Sequence, residues 1–190
     1  MNIDKDYTPC NTSDRDGYDI TLVVVHHTSS PNINGTISWF KNPKAQASAH
    51  YVIGLDGKIV AMVPEEKKAW HAGRSSFKNQ DDGANGVNKF SIGIELVGDG
   101  NQTAYTTAQY DSLIWLCKEI KARYSIADDC FTGHEFIAPG RKNDPGSLFD
   151  WKRFMRGVCD DQPPSFVTTP EEPDAAGYRA LIKEIALQQA

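Results

Sequence analysis

Residues 20–25, from Ile20 to Val25, read ITLVVV. Their β-branched side chains are stiff at χ1 and pack well on a pleated surface, so the stretch favours a strand. It shows no polar alternation, which marks a strand buried on both faces at the centre of a sheet. His26 and His27 follow at its carboxyl end, the side on which open α/β sheets gather ligands.

Working outward, Pro31–Gly35 is turn-rich, and Thr36–Phe40 reads as a short helix carrying Ile37, Trp39 and Phe40. His50–Ile53 and Lys58–Val63 flank Leu55-Asp56-Gly57; Asp-Gly between two apolar runs is a strong hairpin signal, with positive φ expected at both central positions. Between Gly73 and Lys89 apolar residues nearly vanish, which predicts a long loop bordering a groove. Phe90–Val97 (FSIGIELV) resumes strand character, with Ile92, Ile94 and Leu96 on one face and Ser91, Gly93, Glu95 and Val97 on the other. Thr106 and Gln109 fit a capping box, and Tyr110, Leu113, Ile114, Cys117 and Ile120 then recur at helical spacing, predicting a helix to about Tyr124. Phe131–Glu135 reads as a last short strand, Ile137–Leu148 as an irregular loop, and Asp150–Val158 as a short helix.

The chain has 190 residues with 20 basic and 25 acidic side chains, a net charge of -5. That balance offers no positive field for a polyanion, so nucleic acid is not an expected partner. No apolar run approaches the roughly 20 residues needed to span a bilayer. Residues 1–18 are polar and acidic and read as an N-terminal extension. They lack a basic segment leading into an apolar one, so the expectation is cytoplasmic synthesis without a signal peptide, unless one was trimmed. Four of the ten prolines fall within Pro163–Pro173, so the main domain is expected over 19–160, and 161–190 as a proline-rich strap and a C-terminal helix. The stripe Tyr178, Leu181, Ile182 and Ile185 on that helix must dock on something, either its own domain or a partner. Cys10, Cys117, Cys130 and Cys159 show no CxxC spacing and read as reduced thiols.

His26 and His134 lie at strand ends, and Asp144 follows His134 by ten residues in an irregular loop. Two imidazoles and a carboxylate on separate elements suffice for a catalytic zinc site with an open fourth position. Lys142 and Asp144 flank Asn143 and would point to one side of an extended segment. Glu95 is the odd charge in an apolar strand, a placement that calls for a partner or a raised pKa, as general acid/base work requires.

The strings VVVHHTSS, SAHYVIGLDGKI, AWHAG, FSIGIELVG, YTTAQYDSL, TGHEFIAPGRKNDPG and FDWKRF occur in that order between Ile20 and Phe154. Together they resemble the zinc-dependent N-acetylmuramoyl-L-alanine amidases of the type-2 superfamily, which includes phage endolysins and peptidoglycan recognition proteins. SAHYVI, IGIEL and RKNDPG look most like the anhydro-muropeptide amidases of cell-wall recycling and related phage or secreted enzymes. The resemblance implies an α/β fold with a central mixed β-sheet flanked by helices. It implies Zn2+ held by His26, rather than His27, with His134 and Asp144; Glu95 as acid/base; and Lys142 steadying developing negative charge. Some relatives carry Cys where Asp144 stands, and some phage members carry a catalytic Tyr where Ala49 stands, which leaves Glu95 for the proton work. Trp70 and His71, with Ala72 and Gly73, are expected along the substrate groove, and His50 as a structural or supporting residue. The implied reaction is hydrolysis of the muramoyl–L-alanine amide in peptidoglycan or muropeptides by a zinc-activated water. A non-catalytic peptidoglycan-binding module and a thiol peptidase are the competing readings. Recycling and phage lysis both remain open, as does the oligomeric state.

Overall fold

Leu22, Val23, Val24 and Val25 are completely buried, as an unbroken apolar run demands. The computed structural model describes residues 1–6, 11–78, 86–167 and 172–188. Its elements in chain order are β1 (Ile3–Lys5), β2 (Thr12–Asp14), β3 (Leu22–His27), α1 (Ile33–Phe40), β4 (Tyr51–Ile53), β5 (Ile59–Ala61), β6 (Lys67–Ala69), α2 (Gly86–Phe90), β7 (Ser91–Leu96), α3 (Thr107–Tyr124), β8 (Phe131–Gly133), α4 (His134–Ile137), α5 (Trp151–Val158) and α6 (Ala175–Leu187). Six strands form one sheet in the order β1-β5-β4-β7-β3-β8, and β2 pairs with β6. Within the large sheet only β4 and β5 run antiparallel, so the sheet is mixed and flanked by helices, as expected.

The sheet separates two cores. Tyr51 and Ile53 of β4 join Leu113, Leu116 and Cys117 of α3 in the larger one, whereas Val52 between them joins Phe40 of α1 and Val97 in the smaller. Alternate residues of one strand thus serve opposite layers. Both Thr106 and Gln109 make the reciprocal bonds of a capping box, which fixes the start of α3.

Four expectations change in detail. The first is α1, which begins at Ile33, three residues early, because Asn32 caps it by accepting from the Asn34 and Gly35 amides. In the β4–β5 hairpin only Gly57 has positive φ, at 82°. Its amide donates to Gly54, and Lys58 accepts from the Gly54 amide, a turn with one extra residue that needs a single left-handed position. The Gly73–Lys89 stretch is not all loop, since α2 begins at Gly86; residues 79–85 lie outside the described residues, as does Cys10. Finally, β8 ends at Gly133 and His134 opens α4, so Glu135 is helical rather than extended.

The chain ends join this body. β1 extends the sheet at β5, and the Arg15 guanidinium is buried among the carbonyls of Glu65, Asn88, Lys89 and Ser91. Tyr178, Ile182, Ile185 and Ala186 of α6 enter the larger core, so the C-terminal stripe docks on its own chain. Cys117, Cys130 and Cys159 are free thiols. No helix among the described residues is long and apolar enough to cross a membrane.

Candidate active site

Three adjacent parallel strands end together. In the β3–β7 register His26 pairs with Glu95, and in the β3–β8 register Val25 pairs with Gly133, so His134 emerges beside His26. Neighbours in register share a sheet face, which brings both histidines and Glu95 to the carboxyl edge. The loop after α4 returns Asp144 to the same place, with its carbonyl accepting from the Glu135 amide at 2.8 Å.

The resulting cluster is tight. His26 Nδ1 lies 2.9 Å from Asp144 Oδ2 and 3.0 Å from His134 Nδ1, and His134 Nδ1 lies 3.0 Å from the same Asp144 oxygen. His134 Nε2 is 2.9 Å from the Ala72 carbonyl oxygen. That oxygen can only accept, so Nε2 carries a proton and Nδ1 is the ring atom turned toward His26 and Asp144. All three residues are buried, and together they could hold a metal ion. Electron-pair donors packed at this spacing repel one another unless a cation or proton lies between them. Two imidazoles and one carboxylate are the donor set of a catalytic zinc, so these residues fit the metal that the sequence implies.

Burial and the neighbouring His134 ring lower His26 to about 4, outweighing the opposite pull of Asp144, so the imidazole stays neutral as a ligand must. Burial would raise Asp144, but its contacts with His134 and His26 win and hold it far below the usual carboxylate range. Burial and the Asp144 charge push Glu95 up to about 8, against Lys142. Glu95 lines a cleft, and its Oε2 is a buried oxygen with no hydrogen-bond partner, an exception among buried polar atoms.

That cleft holds about 200 Å³ and is lined by His26, His134, Asp144, Glu95, Lys142 and Trp70, among others. Lys142 and Asp144 both face it, as an extended RKND segment would allow. Trp70 is half-buried and its indole donates to Ser13 Oγ at 3.1 Å. His71 also lines the cleft, but it is 8% exposed and both ring nitrogens are engaged within the protein, Nδ1 with His26 and Nε2 with Ser91. His27 also lines the cleft, but it stands outside the cluster, and its Nδ1 accepts from the Gly100 amide. His50 backs the strands, with Nδ1 accepting from the Gly93 amide. No cysteine lines the cleft among the described residues, and Cys117 lies in the core with its thiol pushed up by burial.

Two features escaped the sequence reading. Asn88 accepts from the amides of His71 and Ala72 through Oδ1, and nothing in a polar, glycine-rich stretch singles it out. Trp39, 53% exposed, lines an adjoining groove of about 600 Å³ with Phe40, His27 and Glu95; a tryptophan on a short helix reads equally well as core.

Residues 16–147 match the family model for N-acetylmuramoyl-L-alanine amidase, Amidase_2. The chain is 40% identical over 151 residues to the 1,6-anhydro-N-acetylmuramyl-L-alanine amidase AmpD of Enterobacter cloacae, covering 70% of this chain and 78% of that one. It is 41% identical over 151 residues to AmpD of Escherichia coli K12, covering 70% and 80%. Among solved structures, a selenomethionine AmpD derivative superposes with a TM-score of 0.71 at 37% identity, covering 82% of this chain and 94% of that one. The E. coli amidase AmiD, solved with the substrate anhydro-N-acetylmuramic acid-L-Ala-D-gamma-Glu-L-Lys, superposes at 0.65 with 30% identity, covering 77% and 65%. With its fold and its match along most of the sequence, this chain belongs to the N-acetylmuramoyl-L-alanine amidase family, hydrolases of the bond between the muramic acid lactyl group and L-alanine.

Proposed function

We propose that the chain hydrolyses the muramoyl–L-alanine amide of soluble anhydro-muropeptides, using zinc held by His26, His134 and Asp144. The observation that carries this reading is the convergence of two imidazole nitrogens on one carboxylate oxygen at 2.9 and 3.0 Å. The substrate follows the relatives at about 40% identity that are named 1,6-anhydro-N-acetylmuramyl-L-alanine amidases. When bound, zinc supplies Lewis acidity for the amide oxygen and lowers the pKa of water toward about 7.

The remaining work falls to side chains. Glu95, in register with His26, takes a proton from the attacking water and delivers it to the departing alanine nitrogen, which leaves as an amine. Lys142, across the cleft, steadies the negative charge that grows on the carbonyl oxygen. Trp70 and the adjoining groove with Trp39 and Phe40 provide apolar surface for the muropeptide.

Turnover of a purified anhydro-muropeptide and of intact sacculi, each before and after chelation, tests this. The expected result is rapid cleavage of the soluble fragment, slow release from sacculi, loss of both with chelator and recovery with added zinc. Undiminished cleavage after metal removal rejects the zinc reading, and faster turnover of sacculi rejects the soluble substrate.

A further inference from the structure

The protons around His71 can be counted. Ser91 Oγ donates to the Val87 carbonyl at 2.6 Å, so its remaining role toward the His71 Nε2, 3.1 Å away, is to accept. His71 therefore carries its proton on Nε2 and has a bare Nδ1. That atom lies 2.9 Å from His26 Nε2, so His26 donates from Nε2 and its own lone pair is at Nδ1, the atom that faces His134 and Asp144. The chain of bonds Val87 carbonyl, Ser91, His71, His26 thus admits one direction of donation.

The site is built to hold that ring. The Asn88 carboxamide oxygen fixes the backbone of His71 and Ala72 at 3.2 and 2.8 Å. Gly93 lies directly beneath: a Cβ there would sit 2.3 Å from His71 Cγ and 2.6 Å from Cδ2, so only glycine leaves room. The next residue, Ala72, offers its carbonyl to His134 Nε2. One dipeptide therefore supplies the outer hydrogen-bond acceptor for both histidines, the arrangement that sets which nitrogen a histidine presents to a metal.

We propose that His71 is a positioning residue: by accepting the Nε2 proton of His26 and donating its own to Ser91, it commits the Nδ1 lone pair of His26 to the metal. This rests on the metal reading above, and it assigns His71 a place behind the ligand rather than against substrate.

Long-range proton–nitrogen NMR correlation of the zinc-loaded wild-type protein reads the tautomer directly. His26 is expected with Nε2 protonated and no proton on Nδ1; a proton on Nδ1 with Nε2 bare overturns the proposal. Zinc competition with a chromogenic chelator then compares His71→Leu with His71→Asn. The Leu variant should bind zinc about 10- to 100-fold more weakly, the usual cost of losing an outer partner, and Asn, whose Oδ1 can stand in for the accepting Nδ1, should recover most of it. An unchanged constant in folded His71→Leu, or no recovery in His71→Asn, also overturns it. If His71→Leu fails to fold, the wild-type tautomer still decides. Wild-type protein that takes up no zinc rejects the metal reading, a result distinct from zinc-binding protein with the wrong His26 tautomer.

Discussion

Asp144 and Glu95 line one cleft, and their surroundings push the two carboxyls apart. Asp144 is held far below the ordinary range despite burial, by its contacts with His134 and His26. Glu95 has no such partner, and burial with the Asp144 charge drives it up to about 8. Environments that separate two carboxyls in this way assign a fixed charge to one and proton transfer to the other. Asp144→Ala is accordingly expected to lose bound metal, whereas Glu95→Gln keeps it and turns over about 100- to 10,000-fold more slowly. Metal content and kinetics of the two purified variants check this, and wild-type turnover in Glu95→Gln would remove its role. Glu95 was legible in the sequence because a lone carboxylate among apolar strand residues has to be accounted for. The choice of His26 over His27 was not legible from periodicity. Alternation puts the two on opposite faces but does not say which face carries Glu95; the β3–β7 register does.

Elements are tied together by polar contacts that hydrophobic patterning does not reveal. Glu65, in the loop after β5, accepts from Tyr51 Oη of β4 at 2.7 Å, from Tyr124 Oη of α3 at 2.8 Å, and from Arg123 at 2.8 and 3.0 Å. Burial alone would raise its pKa, but the donors Arg123, Tyr51 and Tyr124 outweigh it and leave the carboxyl below its ordinary value. A carboxyl depressed in the folded state stabilises the fold above its unfolded pKa, about 4.3, and that contribution fades as pH falls through the folded value. Glu65→Gln should therefore unfold about 1–3 kcal/mol more easily at neutral pH, and the gap from wild type should close in acid. Urea midpoints at neutral and acidic pH measure it; a gap that stays constant with pH argues against the charge as its source. The α3 helix itself was readable to the residue, because a capping box is a local device. The end of β8 was not, since whether the chain after Gly133 stays extended or coils depends on the Asp144 loop, whose carbonyl takes the Glu135 amide.

At the scale of the whole molecule, the family match ends at residue 147, and α6 lies beyond it. The apolar stripe of α6 was visible in the sequence, but the surface it covers was not, because that surface is assembled from β8, α4 and α5. Arg179 on α6 reaches further than the core: Nη1 donates to the Gly146 carbonyl at 3.0 Å, and Nη2 pairs with the Glu135 carboxylate. Glu135 in turn gives its amide to the Asp144 carbonyl, so α6 braces both ends of the turn that presents Asp144. Arg179→Ala strips a half-buried carboxylate of its partner and frees that turn. A drop in Tm of about 2–8 °C is expected. Zinc affinity should fall as well, by less than the roughly 10-fold or greater effect expected for His71→Leu, since Arg179 acts one contact further from the metal. Thermal melts of zinc-free protein separate the two effects from each other. If the variant melts early yet binds zinc as tightly as wild type, α6 serves the core alone and the Asp144 turn holds its shape without it.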